Sequence, residues 1–160
     1  PNLFKQTFLK IMPNWCHNRV SVYSENIKQV DKLFDIFNNP EPFNELIPSP
    51  VWSKTPNEDG ELPVLDEHKD ADGNVVFTTH KFPKSGKTDD RWYDWQIQNW
   101  GTKWEPAVCN VEQCEEELEI TFDTAWSPPE DICRAIREQF PDVTVSWFYD
   151  EPGMEVAGYL

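Results

Sequence analysis

The sequence has little positive charge and no long apolar run. Lysine and arginine make up 14 of its 160 residues against 29 aspartates and glutamates, so the formal net charge is −15. A field of this sign repels phosphate, which argues against general nucleic-acid binding. No stretch approaches the roughly 20 consecutive apolar residues of a membrane-spanning helix. We therefore expect a chain that does not cross a membrane and is a poor partner for nucleic acid.

Closely spaced cysteines are also missing. The four cysteines, Cys16, Cys109, Cys114 and Cys133, form no CxxC pair. A disulfide framework or a zinc ribbon would need such spacing, so neither is predicted. Unpaired thiols are typical of a reducing compartment, and we expect a cytoplasmic protein without metal or cofactor.

Two short segments imitate ligand-binding motifs and fail on their spacing. Gly86-Lys87-Thr88 ends like a phosphate-binding loop, but Lys81 occupies the position of the first glycine. Asp70-Ala71-Asp72-Gly73 begins like a calcium loop, but its glycine comes two positions too early. The three histidines have no adjacent nucleophile motif, so no catalytic residue is predicted.

What the sequence does have is aromatic side chains and clear periodicity. Aromatic residues make up 14% of the chain, which rules out a disordered acidic tail. Polar and apolar residues alternate over 19–24, 117–123 and 143–148, as in strands with one buried face, and 107–111 is a further strand. Apolar residues recur at helical spacing from Ile27 to Phe37. Ser127-Pro128-Pro129-Glu130 has the pattern of a capping box, which predicts a helix over 128–139.

The segment between these elements differs in composition. Residues 40–105 are rich in proline and acids, which indicates an insertion. Within it, Asp72-Gly73 between extended segments predicts a β-hairpin, and 91–101 predicts a short aromatic helix ended by Gly101. The order of elements predicts an α+β fold of the ferredoxin-like, split βαβ type. It has a four-stranded, mostly antiparallel sheet with two helices on one face.

In this interpretation residues 1–11 are an N-terminal extension, and Met12 begins a single domain over 12–160. An arm that docks on a neighbouring molecule is the alternative for the extension. Gly101 and Gly153 are predicted to have positive φ angles.

The tryptophans are the candidate interaction residues. They are either a secondary core that holds the insertion or the lining of a recognition surface, and Lys103 between two of them is expected to rest on an aromatic face. The candidate surface consists of Trp15, Trp52, Trp92, Trp95, Trp100, Lys103, Trp104 and Trp126.

Four ordered motifs carry a family resemblance. They are Met12-Pro13-Asn14-Trp15-Cys16-x-Asn18, Trp100-Gly101-Thr102-Lys103-Trp104, Phe122-x-Thr124-Ala125-Trp126-Ser127-Pro128-Pro129, and Glu151-Pro152-Gly153 with Ala157-Gly158-Tyr159. With them the chain resembles the phage- and plasmid-encoded YubB-like family, which has a ferredoxin-like domain. The resemblance implies a cytoplasmic accessory protein of a bacterium or phage, and it carries over no catalytic residue.

Three functions remain open at this point. The favoured one is a non-enzymatic protein-interaction module that docks on a host or phage protein. The alternative is an acidic DNA mimic that inhibits a host nuclease, defence protein or DNA-binding protein, and an enzyme comes third. RNA binding by Tyr23 and Phe148 is disfavoured, because Glu117, Glu119 and Asp123 are predicted on the same side of the sheet.

Overall fold

The computed structural model describes residues 14–160, so the predicted extension and Met12 lie outside the described residues. The chain divides into two compact units. The first contains the described residues up to Pro48 together with Ile97–Leu160, and the second is Ser49–Gln96. The segment expected to be an insertion therefore contains the second unit, while its two ends belong to the first.

The elements follow one another as a mixed α+β chain. In order they are β1 (Trp15–Tyr23), α1 (Ile27–Asn38), α2 (Pro42–Leu46), β2 (Val64–Lys69), β3 (Val75–Lys81), α3 (Arg91–Trp100), β4 (Ala107–Cys114), β5 (Glu117–Ala125), α4 (Glu130–Gln139), β6 (Thr144–Glu151) and β7 (Val156–Tyr159). A short 3₁₀ helix covers Trp52–Lys54.

The first unit contains a five-stranded sheet in the order β4-β5-β1-β6-β7, with every neighbouring pair antiparallel. Strands β4, β5, β1 and β6 with helices α1 and α4 reproduce the predicted split βαβ order. The prediction of four strands is wrong, because Val156–Tyr159 turns back and pairs with β6. The prediction of two helices also omitted the short α2.

The core lies between one face of this sheet and helices α1 and α4. Alternate residues of β1 and β5 are buried, as period-two patterning requires. The helices contribute buried side chains at three- and four-residue spacing. The central members of this core are Val20, Leu33, Phe37, Ile120, Phe122, Ile132, Ile136 and Trp147.

Helix α4 begins two residues later than the capping pattern predicted. Pro129 occupies the N-cap position and no side chain caps the helix. The hydroxyl of Ser127 instead donates to the carbonyl oxygen of Gly101 at 2.6 Å. The capping-box assignment is therefore wrong, because Ser127 joins two loops of the first unit.

One polar side chain lies inside this core. Asn18 is 1% exposed, and its amide donates to the carbonyl of Cys16 and to the hydroxyl of Thr124, each at 3.0 Å. Its carbonyl oxygen accepts the indole N–H of Trp147 at 3.0 Å. The hydroxyl of Thr124 in turn donates a hydrogen bond to the carbonyl of Ser127 at 2.7 Å. The network links the three central strands β1, β5 and β6 and satisfies the polar atoms of Asn18 in a place that water does not reach.

The second unit contains the predicted hairpin. Strands β2 and β3 pair antiparallel, and Gly73 has φ +84° in the turn. The Asp70 carboxylate accepts the backbone N–H groups of Asp72 and Asn74, which lowers its pKa. The hairpin prediction is confirmed, with strands over Val64–Lys69 and Val75–Lys81.

Arg91 organises the rest of the second unit. Its guanidinium donates to both oxygens of Asp89 at 2.8 Å and to the carbonyls of Thr55 and Pro56 at 2.8 and 2.9 Å. It also lies 5.1 Å from the ring centre of Trp52. The bonds from Arg91 hold the pKa of the buried Asp89 carboxyl below its usual range. One side chain thus fixes a loop that has little regular structure.

Replacing Asn18 tests the buried network. In Asn18→Ala the indole N–H of Trp147 loses its acceptor and a cavity remains, so we expect the free energy of unfolding to fall by about 3 kcal/mol. Urea titration followed by circular dichroism measures the loss. Asn110→Ala, at an exposed position of β4, is the control and should stay within about 0.5 kcal/mol of the wild type. Equal effects of the two substitutions would contradict the role given to Asn18.

Replacing Arg91 tests the second unit. Arg91→Lys keeps the charge, but a single ammonium group cannot reach Asp89 and both carbonyls together. We expect amide hydrogen exchange within residues 49–96 to speed up by roughly tenfold, while β1 and β5 exchange as before. The matched control is Arg134→Lys, whose exposed guanidinium pairs with Asp131 on the same helix. The role given to Arg91 is contradicted if the amides of both variants exchange at the wild-type rate.

Candidate interaction face

The sheet of the first unit has a second face that α1 and α4 do not cover. Residues directly opposite each other on antiparallel strands share a face, so the strand registers determine its members. We call these residues the open face. They are Trp15, His17, Arg19, Ser21 and Tyr23 of β1, Ala107, Asn110, Glu112 and Cys114 of β4, Glu117, Glu119, Thr121, Asp123 and Ala125 of β5, Thr144, Ser146, Phe148 and Asp150 of β6, and Ala157 and Tyr159 of β7.

The open face is strongly acidic. Arg19 is its only lysine or arginine, and it stands against five carboxylates. The carboxylates belong to Glu112, Glu117, Glu119, Asp123 and Asp150. Tyr23 is opposite Glu117 and therefore lies on the same side as the carboxylates of β5, as the alternation in the sequence predicted; Ser21 is opposite Glu119. The face therefore repels phosphate and attracts positive charge.

A groove of about 420 Å³ lies on this face. Its walls include His17, Arg19, Val108, Thr121, Asp123 and Asp150. The Nδ1–H of His17 donates to the Asp123 carboxylate at 2.5 Å. His17 is also directly opposite Asp150, on its other neighbouring strand. Among residues 14–160 the Asp150 side chain has neither a hydrogen bond nor an ion pair, so this carboxylate is available to a ligand.

An irregularity in β4 forms one side of the groove. Ala107 is opposite Asp123 and Asn110 is opposite Thr121, so β4 has one residue more than β5 over this stretch. The extra residue makes a β-bulge, in which Val108 has φ +52° and is 81% exposed. This conformation is strained for a β-branched residue. It places an apolar side chain beside the two aspartates.

Aromatic side chains surround the acidic centre. Tyr23 is 45% exposed and Tyr159 is 73% exposed. The ring of Phe148 lies 5.3 Å from that of Tyr159, centre to centre, in an edge-to-face arrangement. The guanidinium of Arg19 lies 5.4 Å from the centre of the Phe148 ring. The open face thus already holds one arginine on an aromatic surface.

The sequence-predicted interaction residues are dispersed. In the first unit Trp100 is 1% exposed, and its indole N–H donates to the carbonyl of Ile47 at 3.0 Å. It is a core residue, so its inclusion in a surface was wrong. Trp15 is half-buried at the start of β1, while Trp104 and Trp126 are exposed. The buried Lys103 has its ammonium 4.0 Å from the centre of the Trp104 ring, which confirms the expected contact.

The other three tryptophans belong to the second unit. Trp52, Trp92 and Trp95 are all half-buried. The rings of Trp52 and Trp95 meet edge to face at 6.5 Å, and Arg91 covers Trp52. Within this unit Trp52 and Trp95 pack against each other, with part of each left exposed.

The motifs that carried the family resemblance meet at one end of the five-stranded sheet. The carbonyl of Asn14 accepts the N–H of Trp126 at 2.9 Å, and the hydroxyl of Thr102 donates to the carbonyl of Ala125 at 3.0 Å. Gly101 has φ +83°, as predicted. A side chain there would also come within 3.0 Å of the backbone nitrogen of Glu130.

Gly153 differs from its prediction, since its φ angle is not positive. It lies close to Asn14 instead: a Cβ atom at this position would be 2.6 Å from the side-chain amide nitrogen of Asn14, which would have to move. Beside it the buried carboxylate of Glu151 accepts the N–H groups of Gly153 and Met154 at 3.2 and 2.5 Å. The motif residues therefore connect loops to the sheet.

Glu105 is a titratable group that no sequence pattern singles out. Its carboxylate accepts the N–H groups of Phe43 and Asn44, both at 2.8 Å, where α2 begins. Burial raises the pKa of this carboxyl to about 7. Because both oxygens are bound to backbone N–H groups, its role in the first unit is to hold α2 against the chain before β4.

No cluster of three metal-ligating side chains suited to a metal ion occurs among residues 14–160. In the same part of the chain, no helix combines the length and apolar character needed to cross a bilayer. We take the open face with its groove as the candidate interaction site, because it combines exposed aromatic rings with carboxylates that line a cleft.

The fold and this face define an α+β protein with a ferredoxin-like domain and an acidic, partly aromatic sheet surface. Residues 99–160 match the family described as the ferredoxin-like domain in Api92-like protein. The matched segment contains β4, β5, α4, β6 and β7, and thus most of the open face. No curated protein and no solved structure gives a match to the chain.

The pKa of Glu105 predicts a pH dependence of stability. Between about pH 4.5 and pH 7 the folded chain retains a proton that the unfolded chain has lost, so the free energy of unfolding falls as pH rises through this range. Glu105→Gln should remove this component and give a flatter profile in urea titrations from pH 4.5 to 7.5. Glu138→Gln, exposed on α4, should keep the wild-type slope. Parallel profiles for all three proteins would show that Glu105 titrates normally.

Proposed function

We propose that this protein is a non-enzymatic protein-interaction module, which docks on a host or phage protein through its open face. The observation that carries the proposal is a sheet surface without covering helices that combines exposed aromatic rings with a groove. The resemblance to the YubB-like family supports the further proposal of a phage or plasmid accessory protein in the bacterial cytoplasm.

The arrangement of titratable groups supports binding over catalysis. Burial raises the pKa of Glu105 to about 7, and its oxygens are occupied by backbone N–H groups. It is not among the residues that line the groove. The groove itself presents carboxylates and an apolar wall, which are suited to holding a side chain of another protein.

The hairpin of the second unit supports an additional contact with the partner. A two-stranded hairpin is marginally stable alone, and this one exposes apolar side chains over most of its length. They are Val64, Leu65, Val75, Val76 and Phe77.

The second candidate function is the acidic DNA mimic. Carboxylates at alternate positions of β5, from Glu117, Glu119 and Asp123, form a row on the open face, and Glu112 stands opposite Glu119. A row of this kind would compete with phosphates for the basic groove of a nuclease, defence protein or DNA-binding protein. The two functions use the same surface and differ in the partner.

Site-specific photo-crosslinking tests the proposed surface. A photoreactive residue at Tyr23 or Tyr159 should crosslink one discrete protein in bacterial lysate, whereas the same residue at Glu138 on α4 should not. The partner is then purified, and its affinity is measured by calorimetry. Ser146→Trp, which places a bulky ring at the centre of the open face, should weaken this binding at least tenfold, and Glu138→Trp should leave it unchanged.

Two outcomes would reject the docking proposal: a partner captured only from Glu138, or an affinity that Ser146→Trp leaves intact. Addition of duplex DNA separates the two functions. A partner that DNA displaces favours the mimic, and one that DNA leaves bound favours the general interaction module.

A further inference from the structure

We infer that the groove of the open face binds the guanidinium of an arginine in a basic segment of the partner protein. This inference rests on the proposed function and specifies the chemistry of its partner. It follows from the unpaired carboxylate, the apolar wall and the charge of the surrounding face.

The two aspartates of the groove stand on either side of His17. Neighbouring strands are about 4.8 Å apart, so the Asp123 and Asp150 backbones are separated by roughly 10 Å across β1. Asp123 uses one oxygen to accept from His17, and its second oxygen makes no side-chain hydrogen bond within residues 14–160. Asp150 adds an unpaired carboxylate on the other side. A planar group with several N–H donors can bond to both sides, which favours arginine over the single ammonium of lysine.

The wall of the groove suits the rest of an arginine side chain. Val108 is held on the bulge with most of its surface exposed, beside the carboxylates. The methylene groups of an incoming arginine would pack on this valine while its charged end reaches the aspartates. Arg19 also lines the groove, and its guanidinium rests on the Phe148 ring, which is an example within the chain of the same combination of guanidinium and apolar surface.

The charge of the face selects a basic segment. Five carboxylates against one arginine, in a chain of net charge −15, attract positive charge over distances beyond contact. The long-range field brings a basic segment to the face, and the groove then distinguishes arginine from lysine. Acidic or phosphorylated segments are excluded by the same field.

Matched peptides test the inference on the whole protein. The probes are three fluorescein-labelled nine-residue peptides of alanine and glycine with three arginines, three lysines or three citrullines at the same positions. In fluorescence anisotropy the arginine peptide should bind, the lysine peptide should bind several-fold more weakly, and the uncharged citrulline peptide should not bind. Backbone amide shifts in NMR should change most around His17, Thr121 and Asp150.

Variants of equal net charge distinguish binding in the groove from general electrostatic attraction to the protein. Asp150→Asn should weaken the arginine peptide about tenfold, the loss expected for a charge-assisted hydrogen bond. Asp35→Asn removes the same charge from an exposed position on α1 and should change the affinity less than twofold. Thr121→Gln fills the groove without a change of charge and should weaken binding as well, which covers the case that Asp150→Asn folds poorly.

Equal losses in Asp150→Asn and Asp35→Asn, or equal binding of the arginine and lysine peptides, would overturn the inference. Its failure is distinct from failure of the proposed function. If the crosslinked partner still requires the open face but no arginine peptide binds the groove, docking stands and the arginine site does not. If the peptide binds the groove while the partner docks elsewhere, the arginine site stands and the docking proposal does not.

Discussion

The buried amide of Asn18 is the interaction on which the first unit depends. It bonds within β1, to β5 and to β6, and at 1% exposure it has no access to water. Any shift of one strand against another would leave polar groups unpaired in the core, so the network fixes the register of the three central strands. A slip by one residue would exchange the two faces of a strand. The composition of the open face therefore depends on a residue that is not part of it.

Helices α1 and α4 lie on one side of the sheet, and the sequence treats the two sides differently. Toward the helices it supplies the apolar side chains that stabilise the unit, with Trp147 and Phe122 in edge-to-face contact at their centre. On the other side it supplies carboxylates, hydroxyls and a few aromatic rings. The residues that stabilise the unit are thereby separated from the proposed recognition surface, so the open face can change its charges at little cost to the core.

Alternation along β5 and helical spacing along α1 depend on local sequence, and for this reason the elements of the ferredoxin-like order were predictable. The shared face of Tyr23 and Glu117 followed from the same alternation. The groove could not be predicted in this way, because His17 and Asp150 are distant in sequence and meet only through strand register. The capping box at Ser127 was wrongly predicted, because the local pattern does not show that the Ser127 hydroxyl bonds to the carbonyl of Gly101. β7 was missed because its four residues, with a glycine among them, carry too little pattern.

The bulge at Val108 also affects the edge of the sheet. Strand β4 is an outer strand, and such a strand can recruit a strand from another sheet through its unpaired backbone groups. The positive φ at Val108 breaks the regular repeat of donors and acceptors along this edge. At the opposite edge β7 is only four residues long. At both edges of the five-stranded sheet, pairing with a strand of another copy is therefore disfavoured.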